Sequence, residues 1–414
     1  MSAVRVNAGG RADTDGDDSG LSPDQLRAVF QDCHLNLLVG AGTSSGFFAR
    51  LGNIELALTE LADMDGEDRE ALTIAAASIF GYFFENVLEP NIKLIEEDAS
   101  AKNAISSYAA LVRTLNRILI RRRSTLIPKQ ANIFTTNVDM LFEKSLEATH
   151  IDYCDGFSGK IDPIFDTSEF GTLHYRISDR YLHRSEMPTF NLIKIHGSAS
   201  WRRNESPESE VIRFDHGLMR IRGIVDLYRK AKDDLLSFKS PDEIDASKII
   251  SDATGVPVTP QIAEFKRAYE RLAVVNPDKR KFASTVMNET YYELMRRFAN
   301  ELEKENAALF VHGFSFRDEH IRKIILRAAR SNPTLQVVVF CYSRSDRESY
   351  REIMNYDAVK NGNIIYIQPK DSDDERNIDL DTLVKEYLLP VLDESDWRPD
   401  QVIDINISAS RDDS

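Results

Sequence analysis

The chain is predicted to fold as a doubly wound α/β domain on a parallel sheet, with a helical insertion. Short apolar runs typical of buried parallel strands alternate with segments in which apolar residues recur every three or four positions, as on one face of a helix. Several of these runs end abruptly in glycine and small polar residues. Strands that alternate with helices imply βαβ units with right-handed crossovers, and therefore a Rossmann-like sheet.

The first elements follow from capping residues and glycines. Residues 1–20 are rich in glycine and aspartate and are predicted to be a disordered arm. Ser22 and Pro23 suit the N-cap and the first position of a helix that runs to about Asp32. The stretch from Leu35 to Gly46 predicts a buried strand followed by a small-residue loop of the phosphate-binding type.

Residues 21–391 are assigned to one α/β domain. Helical periodicity predicts an insertion at about 53–125, directly after the first strand and its loop. Less regular insertions are expected at about 152–190 and 202–270. Further strands are predicted at Ala131–Thr135, Leu192–His196, Leu272–Val275, Ala308–His312, Gln336–Cys341 and Ile364–Gln368. Helices are predicted at Val138–Glu147, Asp318–Ser331 and Leu380–Leu389.

Residues 392–414 are predicted to form a C-terminal tail. Apolar and polar residues alternate over Val402–Ile407, which is typical of a strand with one buried face. Such a strand can lie at a sheet edge or pair with another subunit. The tail is therefore a candidate assembly strand of a homo-oligomer.

The composition excludes several classes of protein. With 67 acidic and 52 basic residues the net charge is −15, which disfavours broad nucleic-acid binding, so contact with nucleic acid is expected only indirectly. The cluster Arg121–Arg123 is interpreted as a solvated helix end. The cysteines Cys33, Cys154 and Cys341 are far apart and form no zinc motif, which favours a reducing cytoplasm. We expect no membrane span and no secretory signal.

Two polar motifs follow the first two predicted strands of the sheet. In Gly40-Ala41-Gly42-Thr43-Ser44, glycines would let the backbone approach a pyrophosphate and the following amides and hydroxyls would bind its oxygens. The alternative is an ordinary strand-to-helix turn, since the loop matches neither GxGxxG nor a Walker loop. In the second motif, Thr135 to Asp139, Thr136 lies at the strand end, Asn137 can orient a water or a ribose hydroxyl, and Asp139 can bind a loop amide or cap the next helix.

Two further motifs contain histidine and follow later strands. His196 precedes Gly197. Histidine has an unperturbed pKa of about 6.5, which suits a general base, although a lone histidine at a strand end is more often a satisfied core residue. In the segment His312 to Asp318, Gly313 and Ser315 are candidates for lining a nucleotide, and Asp318 is a candidate helix cap. All four motifs fall at the carboxyl ends of predicted strands, where open α/β sheets bind ligands.

In this order the four motifs resemble those of the sirtuin-like (silent information regulator) superfamily. Gly40 to Ser44 resembles its GAGxS loop, Thr135 to Asp139 its TQNID segment, His196-Gly197 its catalytic histidine, and Gly313 to Ser315 its later nucleotide segment. The resemblance covers the α/β core, about half of the chain. It implies NAD as substrate, Asn137 positioning a water, Asp139 ordering the nicotinamide side of the pocket, and His196 acting as base on the ribose.

The chain lacks two features of the protein deacylases within this superfamily, and it therefore resembles another branch more. The zinc module of deacylases needs four cysteines, and residues 46–50 are at most a remnant of the segment that follows GAGxS. The pattern is more similar to the bacterial sirtuin-like branch of anti-phage defence, whose members hydrolyse NAD without zinc. A chain of this size most resembles the subunit that pairs with a HerA-type ATPase, so such a partner is implied by resemblance alone. The alternatives are a non-catalytic NAD or ADP-ribose sensor that regulates a partner motor or nuclease, a deacylase, and a nuclease subunit.

Overall fold

The protein is described by a computed structural model. It describes residues 21–50, 52–64, 68–124, 126–178, 184–203, 211–274, 285–355, 359–369 and 377–392. The predicted N-terminal arm and the predicted strand Val402–Ile407 lie outside these residues. The described residues form a seven-stranded parallel sheet flanked by helices. The predicted α/β fold class is therefore confirmed.

Thirteen strands and thirteen α-helices are numbered here along the described residues. The strands are β1 His34–Val39, β2 Gln130–Thr135, β3 Tyr153–Cys154, β4 Phe157–Ser158, β5 Ile164–Phe165, β6 Tyr175–Ile177, β7 Arg184–Glu186, β8 Thr189–Lys194, β9 Trp201–Arg203, β10 Ile212–Phe214, β11 Ala307–His312, β12 Gln336–Phe340 and β13 Ile364–Ile367. The helices are α1 Pro23–Asp32, α2 Ile54–Asp63, α3 Arg69–Phe83, α4 Asn91–Ile95, α5 Lys102–Ile120, α6 Leu141–Ala148, α7 Met219–Ala231, α8 Ala246–Ala253, α9 Pro260–Tyr269, α10 Thr285–Glu303, α11 Glu319–Ser331, α12 Arg344–Ile353 and α13 Leu380–Thr382.

The order of strands in the main sheet determines where its ligand crevice lies. The order is β13-β12-β11-β1-β2-β8-β3. From β1 the chain builds outwards through β2 and β8 on one side, and then crosses over to add β11, β12 and β13 on the other. The direction of winding therefore reverses beside β1. In doubly wound sheets ligands bind outside the carboxyl ends of the strands at this reversal, so Gly40, after β1, is at the expected place.

A ladder of three buried asparagines crosses the middle of the sheet. Asn36, Asn132 and Asn191 face one another in register on β1, β2 and β8. The amide of Asn132 donates to Asn36 Oδ1 (2.9 Å), and the amide of Asn191 donates to Asn132 Oδ1 (2.7 Å). Because an unpaired buried amide is costly, a shift of one residue in either pairing would be penalised. The ladder therefore fixes the register of the three strands whose ends lead to Gly40, Asn137 and His196.

Helices α2 to α5 lie between β1 and β2 and contribute one wall of the site. Helix α3 continues into a π-helical turn, Phe84–Leu88, and then into α4. The helical stretch Arg69–Ile95 is, among the described residues, long and apolar enough to span a membrane, but 67% of its most apolar window is buried in the fold. It packs against α8 and α9, and Phe80 stacks on Tyr269 with ring centroids 4.4 Å apart. Burial of this kind is typical of a core helix.

Several predicted elements are corrected by the structure. Leu272–Val275 is not a strand of the sheet: in its described part, Val274 makes one antiparallel bridge to Gly197. Its apolar residues are buried by packing across that turn rather than by sheet pairing. The predicted strand Leu192–His196 ends at Lys194, so His196 lies in the following turn. The predicted helix Val138–Glu147 begins only at Leu141, because residues 136–140 form a loop above the sheet.

The two predicted irregular insertions contain regular structure. Residues 202–270 include α7, α8 and α9, and α7 packs closely on α9. Strands β4, β5, β10 and β9 form a separate small antiparallel sheet. Each of its strands has only two or three residues, which is too short for an alternating pattern to be recognised in the sequence. An aromatic cluster that includes Phe157, Phe165 and Trp201 stabilises this sheet.

Candidate functional site

A small pocket, partly open to solvent, lies at the carboxyl ends of β1, β2 and β8. One side is polar and the other apolar. The polar lining comes from Ser44, Thr136, Asn137, Asp139 and His196. The apolar lining comes from Ala41, Phe48, Ala49, Phe83, Val87 and Val138. The structure thus brings together side chains from three of the four sequence motifs, and adds a wall from the helical insertion.

Asn137 is held by hydrogen bonds to the glycine loop. Its side-chain amide donates to the Gly40 carbonyl oxygen (3.2 Å) and to the Ser44 hydroxyl (3.4 Å). Its backbone amide donates to Thr135 Oγ1 (3.0 Å). Its Oδ1 is buried and accepts no hydrogen bond from the residues that the structure describes. An orphaned acceptor at a pocket wall calls for an explanation, and a bound donor such as a water or a hydroxyl would provide one.

Asp139 lies above a buried ion pair. Its Oδ1 accepts from the Leu141 amide (3.0 Å), so it holds the turn that leads into α6. Lys194 Nζ donates to the Asp139 carbonyl oxygen and lies 2.9 Å from Glu143 Oε1. Burial raises the pKa of the Asp139 carboxyl and raises that of Glu143 to about 7, with Lys194 opposing both shifts. Lys194 therefore ties the end of β8 to the Asn137–Asp139 loop.

Two further hydrogen bonds, from Ala199 and to Asn91, hold the loop of residues 136–140 in place. The Ala199 amide donates to the Val138 carbonyl oxygen (2.8 Å), which links the turn after His196 to the loop after β2. Asn91 of α4 accepts from the Met140 amide at 2.9 Å. Its own side-chain amide donates to the carbonyl oxygens of Val87 and Leu88. The insertion is thus hydrogen-bonded to the same loop whose side chains line the pocket.

His196 lies beside Asp318, the last residue of the fourth motif. The distance between His196 Nε2 and Asp318 Oδ2 is 3.1 Å, and both side chains are almost fully buried. Asp318 Oδ1 accepts from the amides of His320 (3.0 Å) and Ile321 (3.2 Å), so it also caps α11 as the sequence predicts. The sequence did not indicate its proximity to His196.

The loop Gly40–Ser44 and the segment His312–Asp318 interlock through backbone hydrogen bonds. The Gly40 amide donates to the His312 carbonyl oxygen (3.1 Å), and the Gly42 amide donates to that of Gly313 (2.9 Å). The Thr43 amide donates to the Gly40 carbonyl oxygen at 3.1 Å. Three of the amides available to a pyrophosphate are therefore engaged within the protein. Close packing between two loops is thus one physical reason for glycine at these positions.

The Thr43 hydroxyl is engaged in the same interlock. It lies 2.8 Å from His312 Nδ1. Burial lowers the pKa of His312 to about 4, so this histidine is neutral at physiological pH. Its Nε2 faces the Ile378 carbonyl oxygen at 3.1 Å, which makes Nδ1 the acceptor for the Thr43 hydroxyl. Thr43 and His312 thus connect the glycine loop to the segment that precedes α13.

Five predicted nucleotide-binding residues are not among those that line the pocket: Gly40, Gly42, Thr43, Gly313 and Ser315. Gly313 packs on Thr43 and Ser315 is exposed. Their proposed contact with a nucleotide stays a prediction. Sequence reasoning missed several residues around the pocket: Lys194, Glu143, Tyr108 and the apolar wall of Phe48, Phe83 and Val87. A signal existed for Lys194, because a lysine inside an apolar strand is unusual unless it is paired.

Tyr108 lies beside the pocket at a position that the sequence assigns to the core. Its helical spacing predicts burial, and it is buried, with its ring 4.8 Å from that of Phe142. Burial and the nearby Asp139 raise the pKa of its hydroxyl well above the ordinary value, while Ser44 and Asn137 act in the opposite sense. The hydroxyl therefore lies next to the polar side of the pocket and remains protonated.

The interlock predicts that Gly313→Ala is strongly destabilising. Gly313 has φ +64°, and an added Cβ would lie 2.3 Å from the Thr43 backbone nitrogen. Exposed Gly362 is a matched control, because it has φ +61° and nothing within 4 Å of its added Cβ. We expect Gly313→Ala to lower the free energy of unfolding by about 2–4 kcal/mol and Gly362→Ala by about 1–2 kcal/mol. Urea denaturation measures both, and equal losses would contradict the interlock.

Comparisons with known proteins add no relative to this description. No protein-family model matches the chain, and a search of curated proteins finds no match. Within the described ranges, no group of three or more histidine, cysteine, aspartate or glutamate side chains could hold a metal ion. The fold and the pocket therefore define a doubly wound α/β protein with a half-polar, half-apolar pocket at its carboxyl edge.

Proposed function

We propose that the chain is an NAD hydrolase that cleaves the bond between nicotinamide and ribose. The observation that carries the proposal is the convergence of Asn137, Asp139 and His196 on one pocket, beside the glycine loop that follows β1. The three side chains come from two separate strand ends, and the sequence resemblance to sirtuin-like NAD hydrolases assigns NAD chemistry to the same positions. The fold supports the proposal because doubly wound sheets commonly bind dinucleotides in the crevice at the reversal of winding.

The two halves of the pocket suit the two parts of the reacting group. Phe48, Phe83 and Val87 offer an apolar surface for the flat nicotinamide ring. Asn137, His196 and Ser44 offer hydrogen bonds to a ribose and a water. The pyrophosphate is assigned to the loop Gly40–Ser44, through those of its groups that the interlock leaves available. NAD is a substrate here and not a resident cofactor, and the proposed reaction uses no zinc.

The proposed reaction is a hydrolysis that balances without a further reactant. The bond between ribose C1′ and the nicotinamide nitrogen breaks, and its electron pair neutralises the pyridinium as nicotinamide leaves. A water oriented by Asn137 Oδ1 attacks C1′, and His196 takes the proton directly or through a ribose hydroxyl. Asp139 orders the nicotinamide side of the pocket. The products are nicotinamide, ADP-ribose and a proton. Aiming fixed polar groups at the developing charge is the main source of rate in such sites.

The test is incubation of the purified full-length chain with NAD, followed by chromatography of the products. We expect stoichiometric nicotinamide and ADP-ribose, and His196→Ala is expected to lower the rate by about 10²- to 10⁴-fold. Calorimetry with NAD in parallel distinguishes the alternative of a non-catalytic sensor of NAD or ADP-ribose. Tight binding without nicotinamide release, alone and with partners, would contradict hydrolysis and favour the sensor.

An NAD hydrolase without control would deplete its own cell, so we propose that activity is gated by self-assembly or by a partner. The resemblance implies a cytoplasmic role in anti-phage defence with a HerA-type ATPase as partner. The helical insertion is the candidate contact surface, because Asn91 connects it to the Asn137–Asp139 loop. Light scattering combined with the NAD assay tests this: a monomer with full activity would contradict gating by assembly.

A further inference from the structure

Asp318 has one carboxylate oxygen more than its role as a helix cap requires. Its Oδ1 accepts both amide hydrogen bonds at the start of α11. A serine, threonine or asparagine would serve that purpose equally well. Its Oδ2 lies instead 3.1 Å from His196 Nε2, and the two side chains are 4% and 10% exposed. A carboxylate buried against the imidazole of the candidate base is a feature that capping leaves unexplained.

The backbone two residues before Asp318 is strained. Phe316 has φ +59° and is fully buried, and the left-handed conformation is unfavourable for a bulky side chain. The Arg322 guanidinium donates to the Phe316 carbonyl oxygen (2.7 Å) and braces the turn. Such strain persists where surrounding contacts over-determine it, and it is concentrated at functional sites. The Asp318 carboxylate is therefore anchored by the α11 amides and by this turn.

We propose that Asp318 is the positioning residue that makes His196 a base. Its Oδ2 accepts a hydrogen bond from His196 Nε2–H and thereby leaves Nδ1 as the basic ring nitrogen for the ribose or the water. The inference rests on the hydrolysis proposed above. It adds to that reaction the Nε2–H tautomer of His196, Nδ1 as the basic atom, and Asp318 as a second residue. When Nδ1 takes the proton released by the attacking water, the carboxylate stabilises the imidazolium.

The geometry allows the contact to tighten when a ligand binds. The Nε2 atom is buried, and its contact with Oδ2 is close in distance but not aligned as a hydrogen bond. Catalytic hydrogen bonds are often poorly aligned before substrate binds, and a small rotation of the ring aligns them. Tyr291 lies alongside the imidazole, with its ring centroid 6.1 Å from that of His196.

The variant Asp318→Asn tests the proposal without removing the cap. The asparagine Oδ1 must still accept from the two α11 amides, so its NH₂ group faces His196 Nε2. Two donors cannot face each other, and the ring proton is therefore expected to move to Nδ1. In a catalytic triad the same change leaves the geometry intact and costs about 10⁴-fold in kcat. We expect a loss of about 10³- to 10⁴-fold in the rate of nicotinamide release, with KM for NAD nearly unchanged.

The control and a direct readout separate this role from a structural one. Asp245 caps α8 by accepting from the Lys248 amide (2.9 Å) and is exposed, so Asp245→Asn should change neither activity nor thermal stability. ¹⁵N NMR of histidine-labelled protein, with His196→Gln for assignment, reports which ring nitrogen is protonated. We expect Nε2–H in the native chain and Nδ1–H in Asp318→Asn.

The tautomer readout also keeps this inference separate from the proposed function. If the native chain releases no nicotinamide, the hydrolysis proposal fails, while the change of tautomer still supports the pairing of Asp318 with His196. An Asp318→Asn protein with the native tautomer would overturn the inference. Native kcat in that variant would overturn it equally.

Discussion

Replacing Asn137 by alanine is expected to lower the rate of nicotinamide release from NAD by about 10²- to 10³-fold, the usual loss when one positioned polar group is removed from an active site. The reason is that Asn137 Oδ1 is an orphaned acceptor at the pocket wall, available to a water or hydroxyl. Its amide holds that oxygen in place through Gly40 and Ser44. The expected loss is in kcat rather than in KM, because a positioned water contributes mainly to the transition state.

A control asparagine near the same pocket isolates this effect. Asn86 lies on the π-helical turn that carries Val87, but among the described residues its side-chain amide donates within its own helix, to the Tyr82 carbonyl oxygen (2.9 Å). Asn86→Ala should retain native NAD cleavage. Circular dichroism and thermal melting establish that both variants fold. A folded Asn137→Ala protein that cleaves NAD at the native rate would show that this asparagine is a structural turn residue.

Lys194→Met is expected to lower the free energy of unfolding by about 3–5 kcal/mol at pH 8, since it leaves the buried Glu143 carboxylate without its partner. Lys194 and Glu143 are each 4% exposed, so solvent cannot replace the lost ion pair. The double variant Lys194→Met/Glu143→Leu removes both charges and should recover most of this loss. Urea denaturation of the two single variants and the double variant gives the coupling between them.

The pH dependence of this loss has a definite sign. Burial already raises the folded pKa of Glu143 to about 7, above its ordinary value of 4.5, even with Lys194 present. A group whose pKa is raised on folding binds its proton more tightly in the folded state, so its favourable contribution is complete at low pH and is lost as the pH rises through the folded pKa. The Lys194→Met protein should therefore be least affected near pH 5 and most affected at pH 8. A loss independent of pH would contradict an ionised Glu143.

The same ion pair links stability to the proposed site. Lys194 also donates to the Asp139 carbonyl oxygen, so its removal loosens the loop that carries Asn137. The compensated double variant lacks this bond. It is expected to regain stability without regaining full NAD cleavage, which would show that Lys194 has a positioning role beyond its ion pair.

The amino-acid sequence was sufficient to predict the fold class, the positions along the chain of most strands of the main sheet, and the placement of the polar motifs after them. These features depend on local signals: apolar runs of strand length, helical periodicity, and the caps at Ser22 and Asp318. A local pattern cannot reveal whether a segment finds a sheet partner. Leu272–Val275 has the composition of a strand, and yet its described part contacts a turn instead.

Only the tertiary structure decided which residues meet. The proximity of Asp318 to His196 and of Gly313 to Thr43 depends on the crossover that returns the chain to the far side of β1. The proximity of Lys194 to Glu143 and Asp139 depends on the parallel pairing of β8 with β2. These contacts join residues far apart in sequence, and their energies come from burial and hydrogen-bond satisfaction that no single segment encodes. The sequence by itself therefore determined the kinds of side chain at the edge of the sheet. The packing of the complete fold decided which of them share a pocket, because desolvation and close backbone approach exist only once the loops are together.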